Sequence, residues 1–231
     1  MRPLRRSGTP PLTIGSVNSP LSAWNALGST WQLAIDQAWD SWTAGSAGVG
    51  AVLVDQAGSV VAKGRNRTTE HSRSHLSGTI MAHAEMDVLS QVPFGTRITG
   101  SLYTTFEPCL MCAATVAFYR VPEIHYAAAD PLFDGLHDWF SGYPFIADRR
   151  PERIRLGGPI GAFCHVLHLA WLVAHPAPHE VVDAHRRLSP STLECASNIA
   201  RQHRLRQLGE QGVRVYDAIE ELWPELLTLS T

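Results

Sequence analysis

The chain contains one Cys-x-x-Cys, made by Cys109 and Cys112 behind Pro108, and no second one. On a helix, positions i and i+3 share a face, so both sulfurs project the same way. Pro108 suits a helix start. There, free N–H groups and the positive end of the dipole favour thiolate over thiol. Two converging thiolates are a soft ligand pair suited to zinc, but a closed structural site needs four ligands. A second stretch, His83-Ala84-Glu85, lies 26 positions upstream (109 minus 83), also at the start of a helix-like run. His83 is the expected third ligand. One coordination position then stays open, which is the mark of a catalytic rather than a structural zinc. Glu85, two residues on, becomes a carboxylate beside a zinc-bound water, placed to take its proton and pass it to a leaving group or ring nitrogen. Taken alone, a Cys-x-x-Cys is equally a redox pair. A structural zinc module or a catalytically dead relative is the remaining alternative for the ensemble, and Glu85 argues against both because a structural site needs no proton shuttle.

The hydrophobic period changes repeatedly along the chain. Leu21 to Trp42 carries Trp24, Leu27, Trp31, Ile35, Ala38 and Trp42 at spacings of three and four, one helical stripe stopped by Gly45 and Gly48. Val49 to Val54 and Val60 to Lys63 are strand-like, and the turn chemistry of Asp55 to Gly58 makes them a hairpin. A polar loop, Asn66 to Gly78, follows. Further helices are predicted over Met81 to Val92, Cys109 to Tyr119 and Gly161 to His175, and further strands over Ser101 to Thr105, Ile124 to Ala128 and Arg153 to Leu156. This order predicts a layered α/β domain with one sheet and helices on both faces. Three parts are expected: a flexible, Pro/Gly/Ser-rich segment over 1–20, a zinc domain over 21–175, and a helical extension over 176–231 holding one or two helices (Ser191 to Leu208, Tyr216 to Leu227).

Hydrophobic residues make up 45% of the 231, enough for a sizeable core. Twenty-one acids against nineteen Lys and Arg give a net charge of -2, so bulk charge does not indicate a nucleic-acid binder. Four cysteines are too few for a disulfide-dense secreted scaffold. The Arg-rich start leads into no apolar run, and no apolar stretch is long enough to span a bilayer. The expectation is a soluble, cytoplasmic protein with no membrane partner.

Gly50 to Asp55, Gly64 to Asn66, His83 to Glu85 and Thr105 to Cys112 occur in the order of the H-x-E…P-C-x-x-C zinc deaminases. From about Leu21 to His175 the chain resembles the cytidine deaminase-like superfamily, and looks most like its purine-acting branch of guanine deaminases and bacterial tRNA adenosine deaminases. The resemblance implies a three-layer α/β/α fold with a mixed five-stranded sheet. It also implies zinc on His83, Cys109 and Cys112, Glu85 as proton shuttle, and commonly a homodimer. It puts Asn66 and the Ala84 N–H on the substrate; otherwise, Asn after a strand is an ordinary turn residue. Asp134 matches an acid with which some guanine-specific relatives bind an exocyclic amino group; a surface turn is the plainer reading. Two departures stand out: the loop from Asn66 to His83 is longer than in tRNA adenosine deaminases, and Ala129 to Gly135 lacks their basic segment. Between Val49 and Gly135 there are eight acids and six bases.

The expected activity is therefore hydrolytic deamination of a free nucleobase or nucleoside with a purine-like ring, releasing ammonia. Editing of tRNA adenosine is the first alternative and is disfavoured on charge; a pyrimidine or specialised amino-heterocycle is the next. Of the remaining candidates, Glu107 is expected to order the loop before Pro108. Cys164, His165 and His168 are expected to belong to a partly buried helix rather than a second metal site. Arg149, Arg150, Arg153 and Arg155 are expected on a solvated face.

Overall fold

The computed structural model describes residues 19–71, 76–133, 136, 140–175 and 179–230. The segment over 1–18 and Asp134 lie outside these residues. The expected helix over Leu21 to Trp42 is two helices, α1 (Pro20–Ala26) and α2 (Ser29–Thr43). Ser19 caps α1, its Oγ accepting from Ser22 N at 3.2 Å, and Gly28 in extended backbone opens α2. The apolar stripe is continuous across the break because both helices bury the same side.

Strands β1 (Gly50–Val54) and β2 (Val60–Arg65) form the expected hairpin. β3 (Ser101–Phe106) pairs antiparallel with β1, and β4 (Glu123–Ala128) and β5 (Glu152–Arg155) follow in parallel. The sheet is mixed and five-stranded, in the order β2-β1-β3-β4-β5, with helices on both sides, as the resemblance implies. Helices α3 (Ala84–Leu89) and α4 (Leu110–Tyr119) pack against each other. Then come a short helix α5 (Pro144–Ala147) and α6 (Gly158–Ala174), which packs with α2 and on β3 and β4.

Two strand glycines set the layer spacing. A Cβ on Gly50 would stand 2.2 Å from the Ala34 carbonyl oxygen in α2. One on Gly64 would stand 2.9 Å from both Asp87 Oδ2 and Val88 N in α3. Such backbone contact is open only to glycine.

The chain ends in α7 (His179–Leu188), α8 (Pro190–Arg201), α9 (Arg204–Glu210), α10 (Val215–Glu221) and α11 (Trp223–Leu229). The periodicity did not anticipate α7. The run expected over Ser191 to Leu208 is broken at His203, whose φ is 55°, in the left-handed region. Leu193, Ile199, Leu205, Ile219 and Leu226 belong to the same apolar cluster as Ile35, Leu53 and Phe163. Trp39 Nε1 donates to the Val213 carbonyl at 2.9 Å, tying α2 to this region. The terminal helices thus share the core of the sheet domain.

Candidate metal centre and active site

The two motif stretches occupy equivalent places. His83 is the residue before α3 and Cys109 the residue before α4, both in extended backbone. Because α3 and α4 pack side by side, their first turns lie together. His83 Nδ1 is 3.6 Å from Cys109 Sγ and 3.5 Å from Cys112 Sγ. For zinc bonds of about 2.05 Å to nitrogen and about 2.3 Å to sulfur, tetrahedral geometry requires an N···S edge of about 3.6 Å. The donor set and spacing fit zinc, and these three residues are the only such cluster of metal-ligating groups among the described residues.

Proton energetics agree with a ligand cluster. Cys109 is lowered to about 4, chiefly by the Cys112 thiol that hydrogen-bonds to it, with His83 adding to the effect. Cys112 is correspondingly pushed up by its neighbour and by burial. Burial works against a charged His83, but the hydrogen bond to Cys109 holds it above its ordinary value.

Glu85 is 3% exposed, and burial pushes its carboxyl up against the opposing pull of His83. Its Oε1 accepts from Thr104 Oγ1 at 3.0 Å. Thr104, buried on β3, was not singled out by sequence. The strand alternation that puts Leu102, Thr104 and Phe106 on one face was the available signal.

Ala84 is the first residue of α3 and fully buried, so its N–H has no acceptor within the helix. Asn66 follows β2. Its N donates to the Val49 carbonyl at 2.9 Å, and Oδ1 accepts from Thr68 N at 3.0 Å and Thr68 Oγ1 at 2.8 Å. That is the turn role open to any such Asn, and it leaves the Nδ2 donors unassigned. The next residue, Arg67, donates N–H to the Ala82 carbonyl at 2.8 Å, so this loop runs beside the residue preceding His83. Asp87 secures it: Oδ2 accepts from Arg65 N and from Arg67 Nε, both at 3.1 Å, while Arg65 and Arg67 both pair with Glu70.

Glu107 orders the approach to Pro108. It accepts from Asp130 N at 2.9 Å and pairs with Arg153. Arg153 therefore departs from the solvated face expected of the arginine cluster; its side chain is 15% exposed and that of Glu107 is 10%. Cys164 is a buried thiol, pushed up to about 12 by burial.

Residues 27–128 match the cytidine and deoxycytidylate deaminase zinc-binding region. A tRNA-specific adenosine deaminase of Agrobacterium fabrum is 41% identical over 87 residues, 36% of this chain and 53% of that protein. That of Bacillus subtilis is 40% identical over 91 residues, 38% and 52% of the two chains. This chain spans about half the length of these curated relatives. Among solved structures, one from a study of A-to-I editing by deaminases of the transfer RNA wobble position is 30% identical. It has a TM-score of 0.45 and is matched over 55% of this chain and 95% of that one. Bacillus subtilis guanine deaminase is 28% identical with a TM-score of 0.38, over 44% and 64%.

Proposed function

Since residues 27–128 belong to the cytidine and deoxycytidylate deaminase family, we propose that the chain is a zinc-dependent hydrolytic deaminase of a free nucleobase or nucleoside with a purine-like ring. The observation that carries the reading is one imidazole and two thiols at zinc-like spacing with a buried carboxyl two residues from the imidazole.

His83, Cys109 and Cys112 would hold the ion, which when bound supplies a Lewis acid that makes water a nucleophile near neutral pH. Overall, a ring carbon exchanges its bond to an amino nitrogen for one to oxygen, and ammonia leaves. Glu85 moves the protons. Burial raises the Glu85 carboxyl, so its carboxylate is a stronger base than an ordinary one; it takes a proton from water more readily and holds it until a ring nitrogen receives it, with bulk solvent kept away. Thr104 holds one carboxylate oxygen, which fixes the direction of the other. The Ala84 N–H and Asn66 Nδ2 are donors for the polar edge of the ring. The same reading includes a cytoplasmic homodimer; exposed Ile80, Met81 and Leu110, flanking the zinc-binding turns, supply apolar surface for a second copy.

A second reading, deamination of adenosine in tRNA, is favoured by the curated relatives, tRNA-specific adenosine deaminases that are 41% and 40% identical over 87 and 91 residues. One experiment separates the two. The zinc-loaded chain is assayed for ammonia with guanine, adenine, cytosine, their nucleosides and tRNA, with tRNA retention followed against salt. Turnover of a base or nucleoside, with no tRNA retention at low salt, supports the first reading. Salt-dependent retention with inosine formation only in tRNA replaces it with the second. A preparation with no zinc and no ammonia from any substrate removes both.

A further inference from the structure

Asn66 sits between two arginines that the mechanism above does not use. Arg65 ends β2, Arg67 follows Asn66, and both turn to the same acid in the loop, Glu70. Arg65 pairs with both Glu70 oxygens, its Nη2 lying 3.0 Å from Oε2, and Arg67 Nη1 lies 3.3 Å from the same oxygen. Asp87 of α3 completes the group. Its Oδ2 accepts from Arg67 Nε and from the Arg65 backbone N, each at 3.1 Å. The four residues close a ring of two cations and two anions, in which the side chains of Glu70 and Asp87 are each 11% exposed. Gly64 permits it, since a Cβ there would stand 2.9 Å from Asp87 Oδ2. Asp87 also belongs to the metal-site helix, its N donating to the His83 carbonyl at 2.8 Å. The ring thus ties the segment carrying Asn66 to the turn carrying His83, Ala84 and Glu85. From α2, Ser41 Oγ donates to the Asn66 carbonyl at 2.7 Å.

We propose that Asp87 is a positioning residue for the substrate: acting through Arg65 and Arg67, it sets the Asn66 Nδ2 donor against the Ala84 N–H so that both meet the polar edge of one ring. This rests on the deaminase reading above and on its use of Asn66. Stability alone does not account for the ring. Desolvating buried charges offsets most of what their pairing returns, and apolar side chains of similar volume would serve stability as well. Direction is what apolar packing cannot supply. A guanidinium fork meets a carboxylate at fixed angles, so the ring fixes where Asn66 stands relative to α3. The Asp87 carboxylate is committed to the two arginines and takes no part in moving protons or holding the ion. Glu85 is held separately, by Thr104. Loosening the ring therefore moves a substrate donor and leaves the proton carrier in place. A hydrogen bond stretched by about 1 Å is no longer one. The loss falls on binding and not on the chemical step.

The test is a double-mutant cycle between Asp87→Ala and Asn66→Ala in the zinc-loaded full chain. Ammonia release and binding by equilibrium dialysis are measured with guanine, adenine, cytosine and their nucleosides. For the compound that turns over, Asp87→Ala should raise KM and Kd about tenfold, with kcat within about threefold and zinc content unchanged. Asp87→Asn, which keeps an acceptor for the Arg65 N–H, should recover part of the loss, and it carries the cycle if Asp87→Ala does not fold. In the Asn66→Ala background the Asp87 substitution should add less than about twofold, because the donor it positions is gone. An unchanged KM, or the full effect persisting without Asn66, overturns the positioning role and leaves the deaminase standing. So does a loss of zinc or of kcat at unchanged KM, which would show Asp87 serving α3 instead. Binding without ammonia overturns the deaminase, and the same cycle in Kd, coupled or additive, then upholds or overturns the role of Asp87. Neither binding nor ammonia overturns both.

Discussion

Thr104 illustrates how one hydroxyl can matter more than its identity suggests. Its Oγ1 lies 3.0 Å from Glu85 Oε1 and 3.2 Å from the Phe106 carbonyl oxygen, so it links the Glu85 carboxyl to the strand that leads towards Cys109. Thr104→Val keeps the shape and removes the donor. The expected outcome is a stability loss of about 1 kcal/mol in chemical denaturation, with zinc content preserved and kcat lowered about tenfold or more. Zinc loss instead would show that Thr104 supports the ligands rather than Glu85. The contrast between Thr104 and Glu85 is instructive. Glu85 is legible from a two-residue spacing within its own helix. Thr104 is one more threonine in a strand, and only the packing of α3 over β3 gives it a partner.

At the level of elements, the position of α3 is set by an absence of side chain on the strand beneath it. Gly64→Ala would place a methyl 2.9 Å from the backbone N of Val88. Backbone cannot step aside as a flexible side chain can, so α3 must lift, carrying His83 and Glu85 with it. A loss of about 1–3 kcal/mol is expected, with weaker zinc retention under chelator challenge; an unchanged zinc affinity would show that α3 is placed by other contacts. The link from β5 to the turn before Pro108 makes a parallel case. Arg153→Ala takes from the buried Glu107 the guanidinium that pairs with it, and about 3 kcal/mol of stability should disappear in a melt or denaturant titration. Glu107→Gln in the same background should restore part of it. The arginine cluster of residues 149–155 looks alike in sequence. Burial separates its members: Arg149 lies over the exposed Phe145 ring at 3.5 Å, whereas Arg153 points inward to an acid 46 positions away.

Across the whole molecule, α6 joins two regions that composition describes separately. One side packs on the sheet and the other meets the terminal helices. Its histidines give the fold a characteristic acid response. His165 and His168 sit at about 3 in the folded state, below the ordinary value of about 6.5 they regain on unfolding. Their folded values are depressed, so the unfolded chain binds protons first as pH falls. The stability they permit is fully present above about 6.5 and is lost between there and about 3, on the order of a few kcal/mol. Unfolding free energies measured from pH 7 to pH 4 should therefore fall, and should fall less steeply in His165→Phe. Parallel curves for the two proteins would show that some other group, or loss of zinc, governs the decline.

The amino-acid sequence by itself determined the chemistry: two thiols at helical spacing, an imidazole and a carboxylate two apart, and an order of apolar periods that only a layered α/β domain satisfies. These are local facts, since spacing within a turn of helix or along a strand fixes which side chains share a face. It also carried the zinc assignment, because the ligand types admit few other ions. Tertiary structure alone decided what surrounds that chemistry. Helix ends moved wherever a glycine or a left-handed residue broke a stripe that both neighbouring helices went on burying, as at Gly28 and His203. Thr104, Asp87 and Arg153 acquired their partners from chain segments 19 to 46 positions distant. The C-terminal helices joined the core because the outer side of α6 is as apolar as its inner side. Such outcomes depend on which surfaces meet, and the cost of a buried, unpaired group is charged only after they do.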